Sequence, residues 1–446
     1  MSYPVWEVPW MGSGWIIGLI ATVHVFIAQF AVGGGLYLPM LERHSRLTND
    51  PGMRVWLKTH AKFFLVLTAA VSAPLGVGIW FAISLVHPVA TATLIRTYVL
   101  FWAMEWVFFL VEVVALVFYY YSWDKVSTKT HEKIGWIYFA SSWGSLFVIN
   151  GILSSMLTSG SLPDTGDPWG GFFNATFWPT LILRTAISFA LAAIWSFWTA
   201  APLDDEELQA RIMRWSARWM LPAFLLMAPC GYWAFTALPQ NAKEILVGGM
   251  AGTASGTNSI LTRVGMILVM TTVTVSAVVY IGPYKNPKRF ERGLATGLLG
   301  LAFLASMSTE WVREVVRKPY VIQGVLYSSG VRVDDVDRQN REGHLASTTW
   351  ALTWRDLGEN TPHRTGAAMF RSQCLPCHTR DGYRAMSKLL AGRDRAAIRA
   401  FLDVISETDR SKNTYLRFMP PLVGTADEKD ALAAYLTTLV PREPEH

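Results

Sequence analysis

Toward the C-terminal end the sequence reads Gly366-Ala-Ala-Met-Phe370-Arg-Ser-Gln-Cys374-Leu-Pro-Cys377-His378. Two thiols three positions apart, followed at once by an imidazole, have the spacing that attaches a c-type haem. The thiols add to the vinyl groups and His378 ligates the iron. Gly366 and Phe370 precede Cys374 at four-residue intervals and share one helical face. About forty residues later stands Met419-Pro420-Pro421, then Gly424-Thr425 and a predicted last helix from Asp427 with Leu432 and Tyr435. A thioether on an extended, Pro-flanked loop is a soft second axial ligand for the same iron, so Met419 is the expected partner of His378. Met386 is the only other Met between the motif and Met419; it adjoins a basic helix and lacks the Pro flanks.

A second set of chemically able residues lies in strongly apolar surroundings: His24, Glu105, Glu112, Arg184 and Glu310. Ionisable groups in such surroundings are costly and mark function by default. Imidazole and carboxylate can ligate haem iron, or the carboxylates can carry protons; a His satisfied by helix packing is the bland reading of His24. Glu105 and Glu112 are two helical turns apart, on one face and about 10 Å from each other. Arg184 keeps its proton, so it is read as a counter-charge for a carboxylate or haem propionate rather than a ligand.

The elements that position these groups follow from composition. Of 446 residues, 52% are hydrophobic, 16% are charged and 20 are Trp. The 138 residues from Thr309 onward carry 38 of the 72 charges. The chain therefore divides into a long apolar part and a tail of ordinary soluble composition. This excludes a soluble enzyme, a disordered protein and a nucleic-acid binder; the net charge of +6 sits in short loops. Three Cys exclude a disulfide scaffold, and Cys230 in an apolar stretch reads as a small buried hydrophobe. The first apolar run is too long for a cleavable signal peptide.

Eight apolar runs have spanning length, at roughly 14–40, 62–87, 96–121, 134–158, 177–200, 218–237, 262–281 and 293–315. In lipid each is predicted helical. With the N-terminus outside, 15 of the 19 basic residues before Thr309 fall on the cytoplasmic side, three (Arg96, Lys243 and Arg263) fall outside, and Arg184 lies within a span. That asymmetry predicts N-out and C-out, and attachment of haem c outside the cytoplasmic membrane requires the same placement of the tail. On about 1.5 Å per residue, His24, Glu105, Arg184 and Glu310 all fall in the outer half of the bilayer. The expected fold is all-α: an eight-helix transmembrane bundle over 1–320, a polar connector over 321–361, and a small periplasmic class I cytochrome c domain over 362–446.

The membrane part resembles subunit I of the cytochrome bd oxidase superfamily. The resemblance rests on Gly18-Leu-Ile-Ala-Thr-Val-His24, on Glu105…Glu112, and on Glu310…Arg317-Lys-Pro319-Tyr320. The fused cytochrome places it closest to the cytochrome-c-fused branch. The resemblance implies intramembrane haems, of b and possibly d type, near the outer side, with His24, Glu105 or Glu112, and Glu310 as candidate ligands and site residues; Arg184 and Arg317, near the outer surface, are placed to suit haem propionates. It also implies oxygen reduction. Three features depart from the pattern. Leu183-Arg184-Thr185 stands where quinol oxidases carry a His ligand for a low-spin haem b; Met266 could match the partner Met but has no His opposite. The segment Leu238 to Leu261 is a short loop where quinol-oxidising members have a long one. The two Glu are seven apart rather than eight. Arg184 thus marks an expected loss of the low-spin haem, since His60 and His87 sit at the ends of the second span.

Two functions follow. In one, a periplasmic electron-transfer protein reduces the c haem, electrons pass to the intramembrane haems, and oxygen is reduced, with Glu112 and Glu105 carrying protons. In the other, membrane quinol is oxidised and electrons leave through haem c. A second membrane subunit or self-association is expected in either case.

Overall fold

The computed structural model describes residues 6–248, 254–348, 362–409 and 412–440, the side chains of 247–263 excepted. Arg263 and Glu359 lie outside the described side chains. The chain is a helical membrane protein, and each of the eight apolar runs falls within helix. α1 spans Ser13–Leu47; α2, Pro51–Leu65, continues through a π-helical stretch, Val66–Ser72, into α3, Ala73–Val86. α4 is Pro88–Thr97, α5 Val99–Tyr121 and α6 Thr128–Ser155. Two short helices, α7 (Leu162–Thr165) and α8 (Pro168–Phe172), precede α9, Phe177–Ala200. α10 is Glu206–Thr236, α11 Gln240–Gly248, α12 Ala254–Val279 and α13 Arg292–Val316. Among the described residues six helices are long and apolar enough to cross a membrane. Counting α10 with α11, which bend by 119°, as one span makes seven. α13, the last expected span, is a 25-residue helix whose final turns carry Glu310, Arg313 and Glu314.

α1 is central because three consecutive glycines let it touch three helices at once. A Cβ on Gly33 would lie 1.8 Å from the Ser188 carbonyl oxygen of α9, one on Gly34 2.3 Å from the Phe64 ring of α2, and one on Gly35 2.6 Å from the Tyr138 ring of α6. Around this crossing Phe30, Tyr37, Leu41, Phe64, Phe197 and Met220 are buried in one core.

The basic loops gather at one end. Arg211 pairs with Asp50 (2.8 Å), Arg54 and Lys58 pair with Asp124 (3.1 and 2.9 Å), and Lys288 pairs with Glu207. At the opposite end sits the C-terminal domain. The two ends are called the basic end and the domain end below.

After α13 the chain forms a small antiparallel hairpin, β1 (Tyr320–Ile322) and β2 (Leu326–Tyr327). Val321, Ile322 and Leu326 bury themselves among Tyr98, Phe101, Phe172 and Phe177. The expected polar connector therefore begins as a folded piece of the domain end, because its apolar alternation has a greasy surface to cover. α14, Val336–Glu342, follows. The C-terminal domain contains α15 (Pro362–Met369), α16 (Met386–Leu389), α17 (Arg395–Ser406) and α18 (Ala426–Thr437). α15 crosses α18 so closely that a Cβ on Gly366 would meet the Ala431 carbonyl oxygen at 2.1 Å.

Candidate redox site

The residues singled out in the sequence fall into an upper set in the C-terminal domain and a lower set in the bundle. The turn through Cys374-Leu375-Pro376-Cys377-His378 is held by Cys377 N–H and His378 N–H, which donate to the Cys374 carbonyl at 3.1 and 2.9 Å. Both cysteines are free thiols. Burial pushes the Cys374 thiol up to about 12, so it stays protonated until it is consumed. His378 Nδ1 lies 3.1 Å from the Arg384 carbonyl oxygen. A carbonyl only accepts, so Nδ1 carries the hydrogen and Nε2 keeps its lone pair for a metal. Burial also holds the imidazole below its usual pKa, which favours the neutral, ligating form. Cys374 and Met419 pack against one core of Phe370, Leu375, Met386, Leu390, Ile398 and Leu402. Two thiols and a free imidazole lone pair in one turn, with a half-buried thioether on the wall that Cys374 also packs against, are a donor set that fits a c-type haem. Met386 is buried within that wall, whereas Met419 remains half-open.

The loops that carry His378 and Met419 both rest on the bundle. Phe418, beside Met419, packs against the buried cluster formed by Ala242 and Ile245 of α11 and Val315 and Val316 of α13. The loop after His378 is gripped by the segment preceding α1. Tyr383 N–H donates to the Trp10 carbonyl at 3.1 Å, Arg380 pairs with Glu7 at 3.2 Å, and a Cβ on Gly382 would strike the Pro9 carbonyl oxygen at 2.3 Å.

The lower residues do not form one constellation. α5 packs on α6, whereas α13 packs on α9 and α12, so the carboxylates of α5 and α13 face different partners. Glu105 accepts from Ser145 Oγ at 3.0 Å and Glu112 from Tyr138 OH at 3.2 Å. Glu310 pairs with Arg313 Nε at 2.8 Å, and Arg184 of α9 is within electrostatic reach of the same carboxylate. His24 Nδ1 lies 2.9 Å from the Ser72 carbonyl oxygen at the end of the π-helical stretch. As in His378, the hydrogen is on Nδ1 and the Nε2 lone pair is free. A Cβ on Gly76 would come within 2.9 Å of the His24 ring, so glycine there makes room for it. These donors fit a haem iron ligand (His24) and a propionate partner (Arg184). Among the described residues no group of three or more His, Cys, Asp or Glu could share a metal ion.

Arg317, expected beside the propionates, is engaged within the protein. It is buried, pairs with Glu314 and donates to the Val321 carbonyl at 3.3 Å, tying α13 to the hairpin. Met266 is 58% exposed on α12, pointing out of the bundle. His60 is buried at the basic end, 2.8 Å from Thr199 Oγ1. Reading the sequence missed Arg313, whose i,i+3 spacing from Glu310 was the available signal. It also missed the buried Glu42–His131 pair, whose members look like ordinary loop charges.

The fold matches a known one. Among solved structures, bd oxidase from Geobacillus thermodenitrificans superposes with a TM-score of 0.60 at 18% identity, covering 77% of this chain and 96% of that chain. Comparison with protein-family profiles gives no match, and neither does comparison with curated proteins. The chain thus has the fold of a bd-type oxidase.

Proposed function

We propose that this protein is a membrane-bound respiratory haemoprotein, a bd-like terminal oxidase subunit that receives electrons through a covalent haem c. Cys374 and Cys377 hold the c haem, and His378 and Met419 ligate its iron. That haem supplies one-electron transfer. Within the bundle His24 offers its Nε2 to a haem iron, Glu310 and Arg184 set the charge around it, and Glu105 and Glu112 move protons toward the domain end. The bundle crosses the bacterial cytoplasmic membrane eight times with both ends outside. The C-terminal domain lies in the periplasm, where a soluble electron-transfer protein is the donor, and a second membrane subunit or a second copy completes the assembly.

The observation that carries this reading is the seating of both ligand-bearing loops on the bundle, through Phe418 on one side and Tyr383 on the other. A domain docked by the loops that hold its metal is arranged for exchange with what lies beneath it. The test combines haem extraction and pyridine haemochrome spectra of the purified chain with oxygen uptake driven by a reduced c-type donor. Covalent haem c, extractable haem and oxygen uptake are expected. A flat oxygen trace together with quinol-driven reduction of the c haem would replace this reading with outward electron flow from quinol. Absence of covalent haem would overturn it.

A further inference from the structure

The α5–α6 interface carries polar pairs at matched seven-residue intervals: Glu105 with Ser145, Glu112 with Tyr138, and Tyr119 with His131. The third pair sits nearest the basic end and belongs to a buried cluster. The Tyr119 and His131 ring centroids are 4.2 Å apart, and Tyr119 OH donates to Glu42 Oε2 at 3.1 Å. His131 Nδ1 is 2.8 Å from both Glu42 oxygens, and its Nε2 is 2.7 Å from the Tyr119 carbonyl oxygen. Glu42, Tyr119 and His131 are at most 1% exposed. The half-exposed Arg46 pairs with Glu132 at 2.5 Å and lies within electrostatic reach of Glu42, so it forms the mouth of the cluster. The Arg54–Asp124 pair flanks it; Arg54 acts on Tyr119 and Asp124 is within reach of His131.

Hydrogen-bond chemistry fixes what this cluster holds. The Tyr119 carbonyl only accepts, so His131 Nε2 carries a hydrogen. The contact between Nδ1 and Glu42 then needs one more, held either on the imidazole or on the carboxyl. The pair thus stores a single labile proton between two groups that exchange it without moving. Three buried charged or polar groups are expensive to keep for packing alone.

We propose that Glu42–His131–Tyr119 is the proton-loading site through which the bundle takes protons from the basic side and passes them along the α5–α6 interface to Glu112. This rests on the oxidase reading above. A proton entering past Arg46–Glu132 adds to the pair; the pair then releases one proton toward the Glu112 carboxylate and returns to its one-proton state. No electron moves and no bond other than O–H and N–H changes. The pairs are about 10 Å apart along the helix, so transfer between them needs bridging water.

The full haem-loaded chain in proteoliposomes tests this, with proton uptake on each side followed by a pH-sensitive dye while electrons enter through the c haem. Glu42→Gln removes the shared proton. It is expected to slow uptake from the basic side about tenfold or more while haem content and c-haem reduction stay at wild-type values. Tyr119→Phe keeps the ring and is expected to slow uptake to a smaller degree, and Glu42→Asp to recover part of the loss. Wild-type uptake in a haem-replete Glu42→Gln chain overturns the proposal. If that variant does not assemble, wild-type uptake in Tyr119→Phe does so instead. A wild-type chain that turns over without taking up protons overturns the oxidase reading and this proposal together, whereas wild-type uptake that the variants leave intact overturns only the loading site.

Discussion

Tyr383 meets Trp15 edge to face, with ring centroids 5.8 Å apart and planes at 84°. The contact joins the loop after the CxxCH motif to the first turn of α1, and the bonds from Trp10 and Glu7 surround it. The C-terminal domain is therefore seated on the bundle and not merely tethered to it.

The parts of that clasp should differ in weight. Arg380 and Glu7 are 43% and 23% exposed, so their pair is worth less than about 1 kcal/mol. Glu7→Arg or Arg380→Glu should loosen the clasp slightly, and the double exchange should restore it. Gly382→Val, by contrast, drives a side chain into the Pro9 and Trp10 backbone and should open it. Amide hydrogen exchange over Thr379–Met386 in the full chain measures both. Equal protection in Gly382→Val and wild type would show that the clasp does not hold the domain.

Met419→Ala removes the half-buried thioether from the wall that it shares with Cys374. The near-infrared thioether-to-iron band should vanish and the midpoint potential of the c haem should fall. An unchanged spectrum would take Met419 out of the coordination sphere and turn attention to Met386.

Glu310 is the shared counter-charge of Arg313 and Arg184. Glu310→Ala removes the carboxylate shared by the partly buried Arg313 and Arg184 and should lower the thermal midpoint. His24→Ala removes only a partly buried ring bonded to Ser72 and should lower the extractable haem per chain with a smaller change in stability. Full haem content and activity in both variants would move the haem site elsewhere.

His344 supplies a pH dependence. Its ring lies 2.7 Å from Gln339 Oε1 and 2.6 Å from Ser372 Oγ. Burial lowers its pKa from 6.5 to about 4, opposed by Glu428 and Asp335. The unfolded chain thus takes up a proton before the folded one does. The contribution is complete above the unfolded value and is lost as pH falls from 6.5 to about 4, by up to about 3 kcal/mol. Urea unfolding of the C-terminal domain in the full chain, followed by its Soret band, should show this slope, and His344→Gln should flatten it.

The helices were legible because lipid-spanning runs leave little choice of secondary structure. Glu105 and Glu112 were legible as one face of α5, and both do face α6. Their separation from Glu310 was not, because depth along a helix says nothing about which neighbour that helix faces. Arg317 looked free beside the surface; only the fold of the hairpin shows that Glu314 and the Val321 carbonyl already occupy it. Glu42 and His131 are 89 residues apart in sequence, and neither lies in a span-centre position that would have marked it as costly.

The Glu7–Arg380 contact bridges 373 positions of sequence. Contacts of such separation form late, after the segments they join have folded by themselves. During synthesis α1 is made before the other helices of the bundle, while Arg380 is added only after the last apolar run. The arm ahead of α1 must therefore wait, unpaired, while the whole bundle assembles. The clasp is thus a late step of biogenesis, made only after the loop that carries Arg380 has been added.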